Sequence, residues 1–208
     1  HSLGEYMALT ASGAVPVGEC LSLVGVRASA MEEAAQKSEG SMAAVLGMPV
    51  EDITEALLGI DGVWVANMNT PGQVVISGRG SSIREASVAL KSRGAKRVVP
   101  LNVAVASHCP LMEPAREVLR KYLGDVEFKE PAVGMVFNAV AREESGPERM
   151  KDLLADGLVS PVQWEKSVRY AVSKGIDRFV EIGPKSVLAP MVKKIAPGVE
   201  VEVVTNDH

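Results

Sequence analysis

Residues 41–103 limit the possible folds of this chain more than any other segment, because strand-like and helix-like patterns follow one another there in a distinctive order. Ser82 and Glu85 have the spacing of a capping box, and we place the start of the second helix at this position. The order β-α-β-β-α-β predicts a compact ferredoxin-like unit. Its predicted elements are strand 41–48, helix 50–59, strands 63–69 and 73–78, helix 82–93 and strand 95–103.

The two flanking segments, residues 1–40 and 104–208, combine helices with short apolar strands. This pattern is typical of a mostly parallel sheet with covered faces. We therefore predict an α/β fold class, in which one α/β body with a parallel sheet is interrupted by the ferredoxin-like α+β insert at 41–103. The body helices are predicted at 5–13, 17–38, 110–123, 148–156, 161–174 and 184–195, and its strands at 177–183 and 199–204.

The composition of the chain is unfavourable for nucleic-acid binding, membrane insertion and metal binding. A net charge of −4 is unfavourable for nucleic-acid binding, which needs a clustered basic face. No apolar run reaches the ~18 residues of a membrane span. Cys20 and Cys109 are far apart, as in a protein of a reducing cytoplasm, and the three histidines lack metal-ligand spacing. We expect a cytoplasmic protein without metal, nucleic acid or membrane partners.

The first candidate for chemistry is Ser2, in the segment HSLGEY. This segment matches most of a G-x-S-x-G turn, which exposes a nucleophilic serine, but it lacks the first glycine and the preceding strand. A serine hydroxyl needs a base within hydrogen-bond reach. The side chain of the adjacent His1 is expected to diverge from that of Ser2, and His208 lies in a polar tail. His108, in a loop after a predicted strand, is the remaining base.

The sequence pattern leaves alternatives open for the residues around this serine. His108 could instead cap the helix that begins near Pro110, and we interpret Cys109 as a buried structural thiol. Arg27 lies in a largely uncharged helical stretch. Its guanidinium either extends to solvent from the helix edge or binds a substrate carboxylate beside Ser2. The second alternative indicates an acidic acyl substrate.

Six segments carry a resemblance to a known family: HSLGEY, VRASAM, NMNTPGQVVISG, SHCPLM, SPVQW and EIGPKSVL. In this order they resemble the malonyl-CoA:acyl carrier protein transacylases of bacterial fatty-acid synthesis, over essentially the whole chain. The resemblance implies a hydrolase-like α/β body with a ferredoxin-like insert. It also implies an acyl-carrier-protein S-malonyltransferase, which moves a malonyl group from malonyl-CoA to the phosphopantetheine thiol of acyl carrier protein in a ping-pong cycle.

The resemblance implies roles for three of the residues above. Ser2 would take the malonyl group as an ester, with His108 as its general base and then as the acid that protonates the departing CoA thiolate. Arg27 would pair with the free malonyl carboxylate, so that malonyl is accepted and acetyl is not. No cofactor is implied, because the partner protein carries the phosphopantetheine. We expect the enzyme to be a monomer.

Three further positions match the family by resemblance. The backbone N–H of Leu3 is the implied oxyanion donor. Asn69 is implied to line the acyl-pantetheine pocket, although its position also fits an exposed turn. Gly157 stands where the family more often has glutamine, and its main-chain carbonyl is implied to orient His108.

Some features keep other functions open. The family has an N-terminal segment with a second oxyanion donor that is not found here, so we expect a missing upstream part. Without it the chain could be a catalytically silent fragment that only binds carrier protein or an N-terminal complement. Ser107 also occurs in polyketide acyltransferases, so a polyketide enzyme that uses malonyl- or methylmalonyl-CoA is an alternative. A basic cluster near the end of the insert is either a docking site for the acidic carrier protein or a solvated helix end. It consists of Lys91, Arg93, Lys96 and Arg97.

Overall fold

The computed structural model of the chain describes residues 1–103 and 105–205. Ala104, where we predict that the chain re-enters the body, and His208 lie outside the described residues. The first two elements are helices, α1 (Gly4–Ala11) and α2 (Val17–Gln36). They pack against each other through one apolar core, because both helices place their apolar side chains on a single stripe.

The next part of the chain forms a four-stranded sheet in which the strands lie in the order second, third, first, fourth along the chain, with every neighbouring pair antiparallel. Two helices pack on one apolar face of this sheet and close a second core. This is the strand order of a ferredoxin-like unit, as the sequence predicts. Its elements are β1 (Gly40–Leu46), α3 (Val50–Ala56), β2 (Val63–Thr70), β3 (Gln73–Arg79), α4 (Gly80–Ser92) and β4 (Arg97–Pro100).

The remaining elements surround this unit and the first two helices. A 3-10 turn at Pro110–Met112 precedes the first of them, because Pro114 has no N–H to continue a regular helix from residue 110. A short hairpin over residues 136–143 has two residues in each strand, too few for a sequence pattern to predict. The elements are α5 (Glu113–Gly124), β5 (Val136–Phe137), β6 (Arg142–Glu143), α6 (Pro147–Asp156), α7 (Trp164–Ser173), β7 (Arg178–Ile182), α8 (Ala189–Ile195) and β8 (Glu200–Val204).

Several helix starts differ from the prediction: α5 begins at Glu113 rather than at residue 110, α7 begins at Trp164 rather than at residue 161, and two further starts differ because of side-chain contacts. The predicted capping box at Ser82 is wrong, because α4 already begins at Gly80 and the Ser82 hydroxyl donates a 2.7 Å hydrogen bond to the carbonyl of Asp61. The last helix begins at Ala189 rather than at residue 184. The backbone N–H groups of Val187, Leu188 and Ala189 donate hydrogen bonds to the carboxylate of Glu181. These bonds hold the loop before the last helix in a non-helical path.

Among the described residues, β7 pairs with β8 in parallel, a single parallel bridge joins Asn67 to Val162, and the four-stranded sheet supplies the α+β part. The predicted mixed α/β class is therefore confirmed. Backbone hydrogen bonds join β2 to the loop before α7: Met68 N–H donates to the carbonyl of Val162, and Val162 N–H donates to the carbonyl of Ala66. The division into a body (1–40 and 104–208) and an insert (41–103) stays a prediction.

Candidate active site

Ser2 lies immediately before the first turn of α1. The first N–H groups of a helix have no partner within it and carry partial positive charge. Here Tyr6 N–H is bonded to the carbonyl of Leu3, whereas the Leu3 N–H has no acceptor among residues 1–103 and 105–205. A free backbone donor therefore lies beside the serine, as stabilisation of an oxyanion requires.

Arg27 belongs to the buried stripe of α2, because it is four residues after Leu23 and three before Ala30. Its Nη2 donates a 2.8 Å hydrogen bond to Oγ of Ser2. Its guanidinium carbon lies 5.6 Å from the centroid of the Tyr6 ring, within the range of a cation–π interaction. No carboxylate of the described residues forms an ion pair with it. The cation is thus available to an anionic ligand beside Ser2.

His108 lies in the loop before the Pro110–Met112 turn and is only 5% exposed. Its φ of 60° is in the left-handed region, which histidine adopts more readily than most residues but still at a cost. The ring Nδ1 is 2.7 Å from the carbonyl oxygen of Gly157. Because a carbonyl only accepts, Nδ1 carries the hydrogen and donates it, which leaves Nε2 as the basic nitrogen.

The surroundings of His108 keep its imidazole neutral. Burial lowers its pKa to about 4, against the opposing effect of the Gly157 carbonyl, and the charge of Arg27 acts in the same direction as burial. A neutral imidazole at pH 7 is the form that a general base needs. In the described structure, however, no hydrogen bond joins this ring to Ser2, whose Oγ is bonded to Arg27 instead.

Asn69 is a buried residue of β2, with 6% of its surface exposed, and does not lie in an exposed turn. Its Oδ1 lies 3.0 Å from Nε2 of His1, and the His1 ring also lies beside Trp164, with ring centroids 5.8 Å apart. The side chain of His1 therefore contacts Asn69 of β2 and Trp164 of α7, and it has these partners rather than Ser2. Asn69 is connected to the residues around the serine through His1.

Glu5 is a site residue that the sequence reasoning missed. It is 8% exposed, and its Oε1 accepts a 2.7 Å hydrogen bond from the N–H of Asn138. A β carbon added to Gly157 would lie 3.9 Å from its Oε2, so the carboxyl adjoins the residue that holds His108. Burial raises the pKa of Glu5, although the Asn138 N–H opposes this rise. The sequence signal for its burial was its position four residues before the apolar Leu9, on the same face of α1.

A cavity of about 410 Å³ opens beside His108. Its walls are mostly apolar and come from the end of α3, from β2, from the segment 108–110 and from the loop between α6 and α7. Pockets that hold small-molecule ligands have this character, with few polar groups among apolar walls. The lining residues include Leu57, Trp64, Pro110 and Val159.

The predicted basic cluster is exposed but does not act as one unit. Arg93 forms a 3.6 Å ion pair with Glu55, and the methylene groups of Lys96 cover Gly47. Lys91, near the end of α4, and Arg97, the first residue of β4, have no ion-pair partner in the part of the chain that the structure describes.

The two residues on either side of His108 have contacts of their own. The Ser107 hydroxyl lies 3.5 Å from the sulfur of Met42 in β1. The Cys109 thiol is buried, donates to the carbonyl of Ala106 at 3.2 Å, and has a pKa that burial raises. A protonated thiol in the core is a poor nucleophile, which favours the structural interpretation of Cys109.

Two features are not found in the described structure. Residues 1–103 and 105–205 contain no group of three or more His, Cys, Asp or Glu side chains that could hold a metal ion. Over the same residues, no helix is both long enough and apolar enough to cross a membrane. The expectation that the chain uses neither a metal nor a cofactor stays a prediction.

Comparison with known proteins gives one consistent result. The profile of the acyl transferase domain family matches residues 1–204. The malonyl CoA-acyl carrier protein transacylase of Escherichia coli (strain K12) is 39% identical over 198 residues, which cover 94% of this chain and 64% of that protein. The crystal structure of an acyl carrier protein S-malonyltransferase from Vibrio cholerae has a TM-score of 0.96 and 37% identity, and covers 99% of this chain and 68% of that chain.

A third relative was solved with a partner: a type II PKS acyl-carrier protein in complex with its malonyl-transacylase, with a TM-score of 0.95, 36% identity, and coverage of 99% of this chain and 67% of that chain. The chain thus spans slightly less than two thirds of the E. coli protein and about two thirds of the two solved chains. The resemblance seen in the sequence is confirmed at the level of sequence and fold. The chain belongs to the acyl transferase domain family.

Proposed function

We propose that this chain carries the catalytic residues of a malonyltransferase, which moves a malonyl group from malonyl-CoA to the phosphopantetheine thiol of acyl carrier protein. The contact between Arg27 and Ser2 carries the proposal, because a guanidinium without a carboxylate partner touches the hydroxyl that would be acylated. The names of the E. coli and V. cholerae relatives support the same substrates.

The choice of a malonyl group follows from the position of Arg27. In a malonyl ester of Ser2, the free carboxylate is separated from the ester carbon by one methylene group. Because Nη2 of Arg27 is 2.8 Å from Oγ, the guanidinium can reach this carboxylate while α2 stays in place. A bidentate, charge-assisted pair would form there. An acetyl group would leave the half-buried cation unpaired, which is unfavourable.

The proposed reaction has two half-reactions with the same residues. In the first, His108 Nε2 takes the Ser2 proton as Oγ attacks the thioester carbon, and the Leu3 N–H donates to the carbonyl oxygen as it becomes negative. The C–S bond then breaks, and His108 returns the proton to the CoA thiolate. In the second, His108 deprotonates the carrier's phosphopantetheine thiol, whose sulfur attacks the malonyl ester. Ser2 leaves and regains its proton.

The surroundings of the dyad support this sequence of steps. The Gly157 carbonyl, 2.7 Å from Nδ1, keeps the basic Nε2 free of its hydrogen. The apolar cavity of about 410 Å³ beside His108 suits a phosphopantetheine arm. Asn69 does not line this cavity, and in this proposal it holds the side chain of His1, the neighbour of Ser2.

The carrier protein is proposed to dock on the exposed basic cluster, chiefly through Lys91 and Arg97, because Arg93 is paired with Glu55. The solved complex of a similar transacylase with an acyl-carrier protein supports a partner of this class. Charge reversal of Lys91 and Arg97 should raise the KM for carrier protein and leave the KM for malonyl-CoA unchanged. We further propose a cytoplasmic monomer with no cofactor of its own, in keeping with two free cysteines that are both buried.

A polyketide-type acyltransferase that uses malonyl- or methylmalonyl-CoA is the second candidate. The observation that favours it is the small side chain of Ser107, directly before His108, whose hydroxyl lies 3.5 Å from the sulfur of Met42. Comparing adduct formation from malonyl-CoA with that from methylmalonyl-CoA separates the two candidates.

The test is to incubate the protein with malonyl-CoA and measure its intact mass and peptide map. We expect a malonyl adduct on Ser2 that transfers to carrier protein and that Ser2→Ala and Arg27→Ala lack. Arg84→Ala, which removes an exposed arginine on α4, is the matched control and should load normally. If only a chain extended at its N-terminus forms the adduct, residues 1–208 alone are catalytically silent. If neither chain forms it, the proposed function is refuted.

A further inference from the structure

We propose that Arg27 is a latch on the nucleophile, which holds Ser2 until a substrate carboxylate releases it. This inference deepens the proposed function and takes its substrate from it. In the structure, Oγ of Ser2 accepts a 2.8 Å hydrogen bond from Nη2 of Arg27, and no hydrogen bond joins it to His108 among the described residues. The hydroxyl is thus held by the residue that would bind the substrate, not by the residue that would remove its proton.

The latch restrains the serine because attack needs a free lone pair and an O–H group directed at the base. A donor that carries a full positive charge forms a stronger hydrogen bond to Oγ than a neutral donor does. The guanidinium is itself fixed, since it lies 5.6 Å from the centroid of the Tyr6 ring and extends from the buried stripe of α2. Ser2 and Arg27 therefore favour each other as partners as long as no anion is present.

A carboxylate opens the latch because it is a better acceptor for a guanidinium than a hydroxyl is. It takes two parallel N–H groups and supplies a full negative charge. When Nη2 turns to the carboxylate, Oγ can rotate about the Cα–Cβ bond toward Nε2 of His108. An acyl group without a carboxylate leaves Nη2 on Oγ. Selection against acetyl groups then acts on the freedom of the nucleophile as well as on binding.

The experiment measures labelling of Ser2 by phenylmethanesulfonyl fluoride, an uncharged reagent that needs a free serine hydroxyl. Labelling is followed by intact mass with sodium malonate, with neutral malonamide, and with neither. We expect malonate to speed labelling about tenfold, which corresponds to about 1.4 kcal/mol, within the usual net contribution of one hydrogen bond. Malonamide should have no effect.

Variants separate the latch from simple occupancy of the site. Arg27→Ala should label faster than the unaltered chain without malonate and should not respond to malonate. Arg27→Gln, which keeps much of the side-chain volume, repeats the measurement if the alanine variant does not fold. Arg84→Ala should behave like the unaltered chain.

Two results would overturn the latch. Slower labelling in malonate means that the anion only blocks the site, and slower labelling of both Arg27 variants means that Arg27 activates the serine. The malonyl-CoA adduct assay is read separately. Adduct formation together with malonate-slowed labelling keeps the proposed function and rejects the latch. Malonate-accelerated labelling without an adduct on either this chain or the N-terminally extended one rejects the proposed function.

Discussion

Acidification should weaken the fold through His108 alone by about 2 kcal/mol between pH 7 and pH 5. Burial lowers the pKa of this histidine to about 4 in the folded chain, from 6.5 when it is exposed. Above pH 6.5 the ring is neutral in both states and contributes nothing. Between pH 6.5 and pH 4 the unfolded chain binds a proton that the folded chain does not, so unfolding becomes easier. Below pH 4 the loss is constant at about 3 kcal/mol.

The variant that isolates this effect is His108→Asn. Asparagine tolerates the left-handed φ of 60° at this position, and its amide can donate to the Gly157 carbonyl that now accepts from Nδ1. Urea unfolding of both proteins at pH 7 and at pH 5 gives four free energies of unfolding. Acidic groups such as Glu5 titrate in both proteins, so their contributions cancel in the comparison.

We expect the unaltered chain to lose about 2 kcal/mol more than His108→Asn on going from pH 7 to pH 5. Labelling of Ser2 by phenylmethanesulfonyl fluoride should also persist at pH 5, because His108, the proposed base, is still neutral there. Equal losses in the two proteins, or a labelling rate that halves near pH 6.5, would show that His108 titrates as an exposed histidine and would refute the reasoning.

Three further predictions concern the residues around this histidine and the last helix. Gly157→Ala should change the free energy of unfolding by less than about 1 kcal/mol, because φ at this position is −59°, which alanine adopts readily. It should nevertheless slow Ser2 labelling, because the new β carbon lies 3.1 Å from the Leu153 carbonyl oxygen and displaces the Gly157 carbonyl. Labelling at the normal rate would contradict this prediction. Glu5→Gln should raise the free energy of unfolding at pH 8. Because burial raises the pKa of this carboxyl, the unaltered chain loses stability as pH rises above 4.5, whereas the glutamine variant does not. Urea unfolding that gives the variant a lower free energy of unfolding at pH 8 would contradict this. Glu181→Ala should lower the free energy of unfolding by about 1 kcal/mol. It should also speed hydrogen exchange of the Ala189 amide, which donates a 2.8 Å hydrogen bond to the Glu181 carboxylate. Unchanged exchange would mean that this cap is not formed in solution.

The sequence predicts the four-stranded unit well because its signals are local. The turn at Pro71 and Gly72 separates two β-rich runs, and Gly72 adopts the positive φ that such a turn needs. Helix starts were predicted less well where a distant group competes with the local signal. Ser82 bonds to the carbonyl of Asp61 instead of capping α4, and Glu181 holds the loop before α8 out of the helix.

The candidate site divides in the same way between side chains and main-chain groups. For Arg27 the residue pattern left solvent and a place beside Ser2 both open, and the resemblance pointed to the second. The hydrogen bond from Arg27 Nη2 to Ser2 Oγ agrees with the second, and the spacing of Arg27 from Leu23 shows why it lies on the buried stripe of α2.

The partners of the two buried titratable groups are main-chain atoms: the Gly157 carbonyl for His108, 49 positions away, and the Asn138 N–H for Glu5, 133 positions away. Every residue except proline offers the same N–H and every residue the same C=O, so no residue type marks these positions. A buried carboxyl or imidazole nevertheless requires such a partner, because burial without one is strongly unfavourable. The residue pattern can therefore name the reactive side chains of this site, and the resemblance names the Gly157 carbonyl, whereas the Asn138 N–H beside Glu5 is found only in the fold.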